Sequence, residues 1–244
     1  MMVKQLKRFL PSILDTVYPS ACFHCEKVLA GKLTLCEGCY TASVRISEGY
    51  CNVCGEDYEG EFSENPICPN CSDLKFSFQY AKSALKNTVK NRQMVISFKY
   101  GKRHYLARVL AKFCSEVLLD DPRFSQLPAP VLVPVPLHWR RELRRGFNQA
   151  GLICKELTLQ TSIPTRKLLR RGRYTTTQTR LTRGERLKNL KGAFSVNGDL
   201  EEFRSIIIID DVFTTGSTSE ECAQLLRKEF PKVENIVVVT VLRG

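Results

Sequence analysis

One continuous string, residues 206–218, constrains the fold of this 244-residue chain more than any other part. It begins with four isoleucines, and such a run of β-branched apolar residues predicts a strand buried on both faces, as in the middle of a parallel sheet. Two carboxylates, Asp210 and Asp211, come next, followed by small hydroxyl residues around Gly216 and by an apolar pattern of helical spacing. Because loop amides and a helix dipole both point into such a turn, the string predicts an anion-binding loop.

An ordinary helix start is the alternative explanation of the same residues. Thr218 and Glu221 have the spacing of a capping box, and the two aspartates would then only end the strand. The Walker lysine and the Gly-x-Gly-x-x-Gly pattern are both missing, so neither of these common nucleotide loops accounts for the string. It resembles instead the phosphoribosyl-pyrophosphate (PRPP) signature of type I phosphoribosyltransferases. That resemblance implies that Asp210 and Asp211 hold the ribose diol. It also implies a cradle for the 5′-phosphate, formed by Thr214, Thr215, Gly216, Ser217 and Thr218.

Eight of the eleven cysteines form four Cys-x-x-Cys pairs in the N-terminal third of the chain. This spacing lets both thiolates of a pair reach one tetrahedral zinc ion, and two pairs complete a four-sulfur site. A closed site of this kind leaves no position for a substrate, so we expect two structural Zn²⁺ ions in a double zinc ribbon over residues 20–75. Sequential and interleaved pairing both remain open, although the short loops favour sequential pairing. The expected ligands are Cys22, Cys25, Cys36, Cys39, Cys51, Cys54, Cys68 and Cys71.

Other cysteine chemistry fits this pattern less well. Disulfides need an oxidising compartment, which the N-terminus does not indicate, and redox chemistry needs one activated pair rather than four similar ones. Iron–sulfur ligation stays open as a minor alternative. The remaining cysteines, Cys114, Cys154 and Cys222, lie in apolar helical patterns and are predicted to be core residues.

The charge changes sign along the chain, and the change suggests a domain boundary. Residues 1–75 contain 7 basic and 10 acidic residues, whereas residues 140–191 contain 15 basic and 3 acidic ones. A surplus of this size requires an anionic partner or a well-solvated surface. We predict an N-terminal helix and double zinc ribbon in residues 1–75 and a second domain in residues 76–244.

The first twenty residues are basic and apolar at helical spacing, but Pro11 and Asp15 interrupt them and no small-residue cleavage site follows. The segment is therefore a poor signal peptide, and a short amphipathic helix is expected instead. No apolar run reaches the ~20 residues that a membrane crossing needs. These features predict a cytoplasmic protein without membrane insertion.

The second domain alternates strand and helix patterns, which predicts an α/β fold with a parallel sheet flanked by helices. The strand over 131–135 should end near Pro134, because proline cannot donate to a sheet ladder. The polar stretch 172–190 is expected to be a mobile flap in the free protein. Besides 206–209, strands are predicted at 76–85, 131–135, 165–169, 193–196 and 236–242, with helices at 104–119, up to about 159, and from 219.

A basic segment follows the strand over 131–135. Guanidinium groups bind phosphate oxygens in bidentate pairs, so arginines here favour anion binding over the alternative of a solvated basic turn. In type I phosphoribosyltransferases the loop after the first core strand receives the pyrophosphate and a flexible loop closes over it. The resemblance thus implies pyrophosphate contacts from Pro136, Arg140, Arg141, Arg144, Arg145, Asn148, Gln149, Gln178 and Arg186.

An ordered set of motifs extends the resemblance to nearly the whole chain. The four cysteine pairs are followed by Arg-Arg-Gly-Phe-Asn-Gln at 144–149, Thr-x-x-Gln at 175–178, Arg-x-x-Asn at 186–189 and the string at 206–218. This set resembles the ComF/GntX family of competence proteins. The resemblance implies a zinc ribbon before a type I phosphoribosyltransferase-like domain, and Mg²⁺-dependent PRPP binding. It also implies a role in natural transformation, with incoming single-stranded DNA and other competence proteins as partners.

Catalysis does not follow from the fold. No motif identifies an acceptor substrate for phosphoribosyl transfer, and His104 and His138 are too isolated to be assigned a role. One hypothesis is a DNA-binding competence protein that retains a PRPP site. The other is a working phosphoribosyltransferase that acts on a base, a nucleotide or a nucleic-acid end. Single-stranded DNA binding is predicted, against the alternative of a basic face built only for pyrophosphate. The candidates for stacking on bases are Trp139, Phe147 and Tyr174.

Overall fold

The computed structural model of this chain describes residues 20–29, 34–47, 49–57, 66–173 and 189–244. The chain divides into two units, Met1–Val44 and Arg45–Gly244. The cysteine pairs at 51/54 and 68/71 belong to the larger unit. The predicted N-terminal helix and most of the polar stretch 172–190 lie outside the described residues.

Each unit has its own regular elements. The smaller unit contains β1 (Ser20–Ala21), β2 (Val28–Leu29) and α1 (Glu37–Thr41), with β1 and β2 antiparallel. The larger unit begins with α2 (Pro69–Ser72), β3 (Ala81–Leu85), α3 (Val89–Tyr100), α4 (Leu106–Asp120), α5 (Pro122–Ser125) and β4 (Pro130–Pro134). It continues with α6 (Trp139–Arg145), α7 (Gln149–Thr161), β5 (Leu169–Arg171), β6 (Phe194–Val196), β7 (Ser205–Phe213), α8 (Ser217–Glu229) and β8 (Asn235–Arg243).

A four-stranded parallel sheet forms the centre of the larger unit, in the order β3-β8-β7-β4. Ile207 in β7 pairs with Leu132 on one side and Val237 on the other, so the isoleucine run occupies an interior strand. All four isoleucines are fully buried, as their β-branched pattern predicted. The edge strand β4 ends at Pro134, which confirms the predicted end of that strand.

Helices cover the sheet. Helices α4 and α7 pack on each other, with α4 against β3 and β8 and α7 against β4 and β7. Ile206 and Ile208 share a core cluster with Cys222 and Leu226 of α8. The predicted helices at 104–119 and up to 159 are confirmed, as is the burial of the three cysteines assigned to the core.

Two predicted strands differ from the structure, and one observed helix has no predicted counterpart. The strand predicted at 165–169 is reduced to a single parallel bridge between Thr165 and Leu132, because Arg166 and Lys167 face solvent and leave no apolar alternation. The chain then forms the antiparallel ribbon β5–β6 instead. The strand predicted at 76–85 begins only at Ala81, whose amide donates to the carbonyl of Val53. Helix α3 was not predicted.

The observed architecture is an α/β fold, with a parallel sheet flanked by helices that follows a cysteine-rich N-terminal segment. This confirms the predicted fold class. Within the described ranges, no helix has both the length and the apolar character that a membrane crossing requires.

Candidate functional site

Asp210 and Asp211 lie inside β7, which continues to Phe213. Asp210 folds back on the chain, where its Oδ1 accepts the amide of Asp211 at 2.8 Å. Asp211 has a different partner, because its Oδ1 lies 2.7 Å from the Nζ of Lys99, and both of these side chains are largely buried. The strand thus presents two carboxylates with different partners at the end where the loop begins.

Burial gives Asp210 an unusual charge state. Burial is the largest cause that raises the pKa of Asp210, and the negative charge of Asp211 raises it further. The hydrogen bond from the Asp211 amide and the charges of Lys99 and Arg171 lower it. Together they raise the pKa of Asp210 to about 7. This carboxyl therefore changes its protonation state near neutral pH.

The loop after β7 turns sharply at Gly216. Gly216 has a φ of 75°, in the left-handed region, and it is the N-cap of α8. A Cβ at this position would lie 2.7 Å from the Cζ of Phe213, so no larger residue fits there without a shift. The hydroxyls of Thr215 and Ser217 lie 2.9 Å apart across the turn. A tight turn at a helix start directs backbone amides into the loop, which is how such loops hold an anion.

The capping box is not the explanation of the string. The N-cap of helix α8 is Gly216, and no side chain caps the helix there. Glu221 accepts the amide of Gly192 at 2.7 Å, and the buried Glu220 accepts the amide and hydroxyl of Ser77 at 2.7 and 2.9 Å. Both acidic residues therefore attach α8 to neighbouring segments, and neither of them caps the helix.

Replacing Gly216 by alanine is expected to lower the free energy of unfolding by about 2–5 kcal/mol. Left-handed strain contributes about 1–2 kcal/mol, and the contact with Phe213 adds an overpacking cost of about 1–3 kcal/mol. Gly146 is the matched control, because its φ is 84° but a Cβ there would meet nothing within 4 Å. Gly146→Ala should therefore lower the free energy of unfolding only by the strain contribution of about 1–2 kcal/mol. Urea unfolding of both variants measures the difference, and equal losses would contradict the predicted contact.

The segment after β4 lies beside this loop. Strands β4 and β7 are parallel neighbours, so their carboxyl ends meet at one edge of the sheet, and the amide of Val135 donates to Ile209 at 2.9 Å. Pro136 is buried there. Asn148 donates its Nδ2 to the carbonyl of Val135 at 3.1 Å, while its Oδ1 caps α7 at Gly151. Asn148 thus fixes the helix to the loop.

The four predicted arginines of α6 do not share one environment. Arg140 and Arg144 are exposed, whereas Arg141 and Arg145 are half-buried. Arg145 donates to Gln149 at 2.7 Å and to the hydroxyl of Tyr100 at 3.3 Å. The Nε2 of Gln149 is buried and has no hydrogen-bond partner among the described residues. A buried donor of this kind fits a ligand that supplies an acceptor.

Three residues near the loop were missed in the sequence. Lys99 and Tyr100 end helix α3 and bring its C-terminus to the site, through Asp211 and Arg145 respectively. Arg171 in β5 is a third. Burial and then the charge of Arg141 lower the pKa of Arg171, while Asp210 opposes that shift. The spacing of Met94, Val95 and Phe98 was the signal that could have revealed α3.

Gln178 and Arg186 lie outside the described residues, and so does Tyr174. Phe147 was proposed for stacking on bases, but it is 8% exposed and packs against Phe98 and His104, so it belongs to the core and cannot take that role. Trp139 is 59% exposed and stays available.

The first cysteine quartet brings together Cys22, Cys25, Cys36 and Cys39, whose sulfur atoms lie within 4.8 Å of one another. The sulfurs of Cys25 and Cys36 are 3.6 Å apart, close to the spacing of about 3.8 Å that a tetrahedral site with Zn–S bonds of ~2.3 Å requires. The amides of Cys36 and Cys39 donate to sulfur atoms of the quartet at 3.3 and 3.4 Å. Such bonds stabilise thiolates, so the donor set fits a structural zinc ion.

The second quartet, Cys51, Cys54, Cys68 and Cys71, repeats this arrangement in the larger unit and is fully buried. The sulfurs of Cys54 and Cys68 are 3.7 Å apart, and the amide of Cys68 donates to Cys51 at 3.3 Å. The hydrogen bond from Cys54 is the main cause that lowers the pKa of Cys51 to about 4. Both quartets use cysteine pairs in sequence, which settles the pairing and excludes the interleaved alternative. Two four-sulfur sites therefore suit two structural zinc ions.

Comparison with known proteins covers most of the chain. The family described as "Double zinc ribbon domain" matches residues 13–72. "Competence protein F" of Haemophilus influenzae is 35% identical over 226 residues, which cover 85% of this chain and 90% of that protein. "DNA utilization protein YhgH" of Salmonella typhi is 34% identical over 211 residues, with 85% and 91% covered.

Among solved structures, adenine phosphoribosyltransferase from Leishmania tarentolae matches 55% of this chain and 70% of its own at 13% identity and a TM-score of 0.28. That likeness is too weak to support an argument. The two curated relatives match this chain over most of their length at more than 30% identity. On these relatives and on its paired cysteine quartets, the chain belongs to the ComF family of competence proteins.

Proposed function

We propose that this protein acts in the cytoplasm in DNA uptake or utilization, and that it binds Mg²⁺–PRPP and single-stranded DNA. The observation that carries the PRPP part is the arrangement at the end of β7, where two carboxylates with different partners precede a turn at Gly216 and a helix start without a side-chain cap. The relatives named for competence and DNA utilization support the biological role.

The chemistry of PRPP matches this edge of the sheet. Carboxylates accept hydrogen bonds from ribose hydroxyls, so Asp210 and Asp211 suit the diol. The turn of residues 214–218 suits the 5′-phosphate. The pyrophosphate would then extend towards the segment after β4, where Arg145 and the buried amide of Gln149 lie. Mg²⁺ prefers oxygen ligands and binds through substrate phosphates, and the carboxylates of Asp210 and Asp211 are charged oxygen donors near this edge.

The affinity for PRPP is expected to depend on the protonation of Asp210. Its pKa of about 7 leaves the carboxyl largely neutral at pH 6 and ionised at pH 8, and only the ionised form accepts well from both hydroxyls. Affinity should therefore rise up to about tenfold between these pH values, since one titrating group changes its ionised fraction by that factor. The phosphate of PRPP also titrates, with a pKa of about 6.

The matched control for this pH dependence is Asp210→Asn, which removes the protein's titrating group and keeps that of the ligand. Asp211, Lys99, Arg171 and Cys222 also act on Asp210 and remain in both proteins. Calorimetry should show a steeper rise for wild type than for the variant. Parallel pH profiles would contradict the role of Asp210.

Single-stranded DNA has a matching surface next to this site. A groove of about 1050 Å³ lies between helices α6 and α7 and the segment 164–171. Trp139 and Glu142 are at its α6 side, and Glu142 is the one acidic residue among its described lining residues. Its basic lining residues are Lys155, Arg166, Lys167, Arg170 and Arg171. The groove is therefore strongly positive.

In addition to the basic residues of the groove, Trp139 supplies an aromatic ring on which bases can stack. Its ring is exposed, and the guanidinium of Arg140 lies 5.2 Å from the ring centroid. Base stacking on an aromatic side chain is worth about 1–3 kcal/mol and tolerates any sequence, while phosphate contacts make the affinity depend on salt. Together these features fit a single strand with little sequence preference.

Charge reversal in the groove is expected to weaken single-stranded DNA binding about 10–100-fold at low salt. Arg166→Glu, Lys167→Glu and Arg170→Glu remove three cations, and each lost phosphate contact should lower the salt slope by about 0.7. The matched control reverses Lys90, Lys228 and Lys232, which are exposed and lie outside the groove. Fluorescence anisotropy over a salt series measures both quantities. Equal losses in the two triple variants would mean that only total charge matters, and would refute the groove.

Transfer catalysis is the second candidate function. The groove favours it, since Arg171, whose charge acts on Asp210, is one of its lining residues and the groove has space for an acceptor. Mixing the protein with PRPP and a panel of bases, nucleotides and single-stranded DNA tests this directly. Pyrophosphate release with one of them would establish a transferase, and binding without release would leave a PRPP-binding protein.

A further inference from the structure

Arg243, at the end of β8, lies between the second cysteine quartet and the phosphate loop. We propose that this arginine is a positioning residue, which couples the metal environment of the second quartet to the affinity of the loop for its phosphate ligand. The proposal rests on the proposed function in one respect only, because it takes PRPP as the ligand of the loop.

On one side, Arg243 holds the loop by its backbone. Its Nη1 donates to the carbonyl of Phe213 at 2.9 Å and to that of Thr214 at 2.7 Å. The guanidinium carbon also lies 5.3 Å from the ring centroid of Phe213, the residue that packs against the turn at Gly216. These contacts fix the start of the loop, where the chain leaves β7 and its amides turn towards the anion site.

On the other side, Arg243 contacts the second quartet and its neighbour. Its Nη2 donates to the Oε2 of Glu56 at 2.9 Å and lies 3.9 Å from the Sγ of Cys54. Glu56 is two residues beyond the Cys51/Cys54 pair, and its Oε2 also lies 4.0 Å from the Sγ of Cys68. One zinc ion with four thiolates carries a net charge of about −2, which attracts the guanidinium of Arg243.

The surroundings make this link stiff. The side chain of Arg243 is only 9% exposed, so it lies almost entirely within the protein. The Cys51/Cys54 pair is itself tied to the sheet, since the amide of Ala81 donates to Val53 at 2.8 Å. The quartet, Phe78 and Phe213 share one hydrophobic core cluster, with the two rings edge to face at 6.2 Å. A shift at the sulfur site is therefore passed on to the loop.

The planar fork of arginine is required for this arrangement. Its two terminal nitrogens reach the loop carbonyls and Glu56 at the same time, whereas a lysine ammonium at that position can satisfy only one side. Arg243→Lys thus keeps the charge and breaks the link. Glu56→Gln keeps the size of the second partner and weakens its bond to Arg243.

The experiment compares wild type, Arg243→Lys and Glu56→Gln, with Arg204→Lys as the matched control. Arg204 is exposed and forms an ion pair with Glu234. All four proteins should contain two equivalents of zinc. Calorimetry with Mg²⁺–PRPP should show at least a fivefold loss of affinity for Arg243→Lys, a smaller loss for Glu56→Gln and no change for the control.

A second measurement detects the same coupling at the metal ions of the cysteine quartets. Coupling between two sites is reciprocal, so ligand binding at the loop must alter the quartet. With cadmium in both quartets, one of the two cadmium NMR resonances should shift when PRPP is added to wild type and stay in place in Arg243→Lys. Unchanged affinity in a zinc-loaded Arg243→Lys variant, or the same cadmium shift in both proteins, would overturn the proposal.

Hydrogen exchange separates this proposal from the function on which it rests. If wild type does not bind PRPP at all, the proposed function is wrong, but the link from Arg243 to the loop is still measurable. The amides of residues 214–218 should then exchange faster in zinc-loaded Arg243→Lys than in wild type or Arg204→Lys. Equal protection in all three proteins would overturn the coupling.

Discussion

Replacement of Cys68 by serine is expected to unfold the larger unit, Arg45–Gly244. Cys68 is 6% exposed and belongs, with the other three cysteines of its quartet, to the same core cluster as Ile206, Ile208 and Phe213. A structural zinc site contributes about 10–16 kcal/mol, whereas a typical domain is stable by only about 5–15 kcal/mol. Loss of this site should therefore remove most of the stability of the sheet and its helices.

The matched variant is Cys25→Ser in the first quartet, because Cys25 is exposed. Elemental analysis should find two equivalents of zinc in wild type and one in Cys25→Ser. Urea unfolding followed by circular dichroism should show a cooperative transition of the larger unit in Cys25→Ser and none in Cys68→Ser. A zinc-free protein with a normal transition would disprove the structural role of the second quartet.

Replacement of both Asp210 and Asp211 by asparagine is expected to lower the affinity for PRPP by at least tenfold. Each carboxylate would lose a charge-assisted hydrogen bond to the ribose diol, worth about 1.5–3 kcal/mol. The fold should survive the double replacement. At pH values above the raised pKa of about 7, Asp210 is ionised although it is buried, and this costs folding free energy. Asparagine removes that cost, which offsets part of the lost ion pair between Asp211 and Lys99.

The control for this double variant is Asp73→Asn with Glu229→Gln, two exposed acidic residues that change the net charge equally. Its affinity for PRPP should equal that of wild type. Circular dichroism and zinc content confirm that both double variants are folded. Equal binding by the Asp210/Asp211 variant and wild type would exclude the diol assignment.

Local patterns were sufficient to predict the centre of the site. The four isoleucines at 206–209, the two aspartates and Gly216 are neighbours in sequence, so strand, carboxylates and turn could be placed together. The cysteine pairs are equally local, because two residues of spacing bring both sulfurs of a pair to one ion, although the structure was needed to show which pairs share that ion. Such short-range geometry is visible without a structure.

Contacts between distant segments could not be predicted in this way. Lys99 reaches Asp211 from helix α3, whose buried face includes the polar Asn91 and is therefore a weak apolar stripe. Arg243 meets Glu56 across most of the chain. Phe147 was assigned to the surface because arginines flank it, although its ring packs on Phe98 in the core. The sequence neighbours of Phe147 indicate the charge around it, but its burial results from packing against α3.

The most direct test of the account is isothermal titration calorimetry of zinc-loaded wild type with PRPP in the presence of Mg²⁺. We predict saturable binding with one site per chain, loss of that binding when Mg²⁺ is removed by a chelator too weak to extract zinc, and at least tenfold weaker binding by Asp210→Asn/Asp211→Asn. No heat of binding from folded, zinc-loaded wild type would contradict the assignment of the β7 loop as a PRPP site.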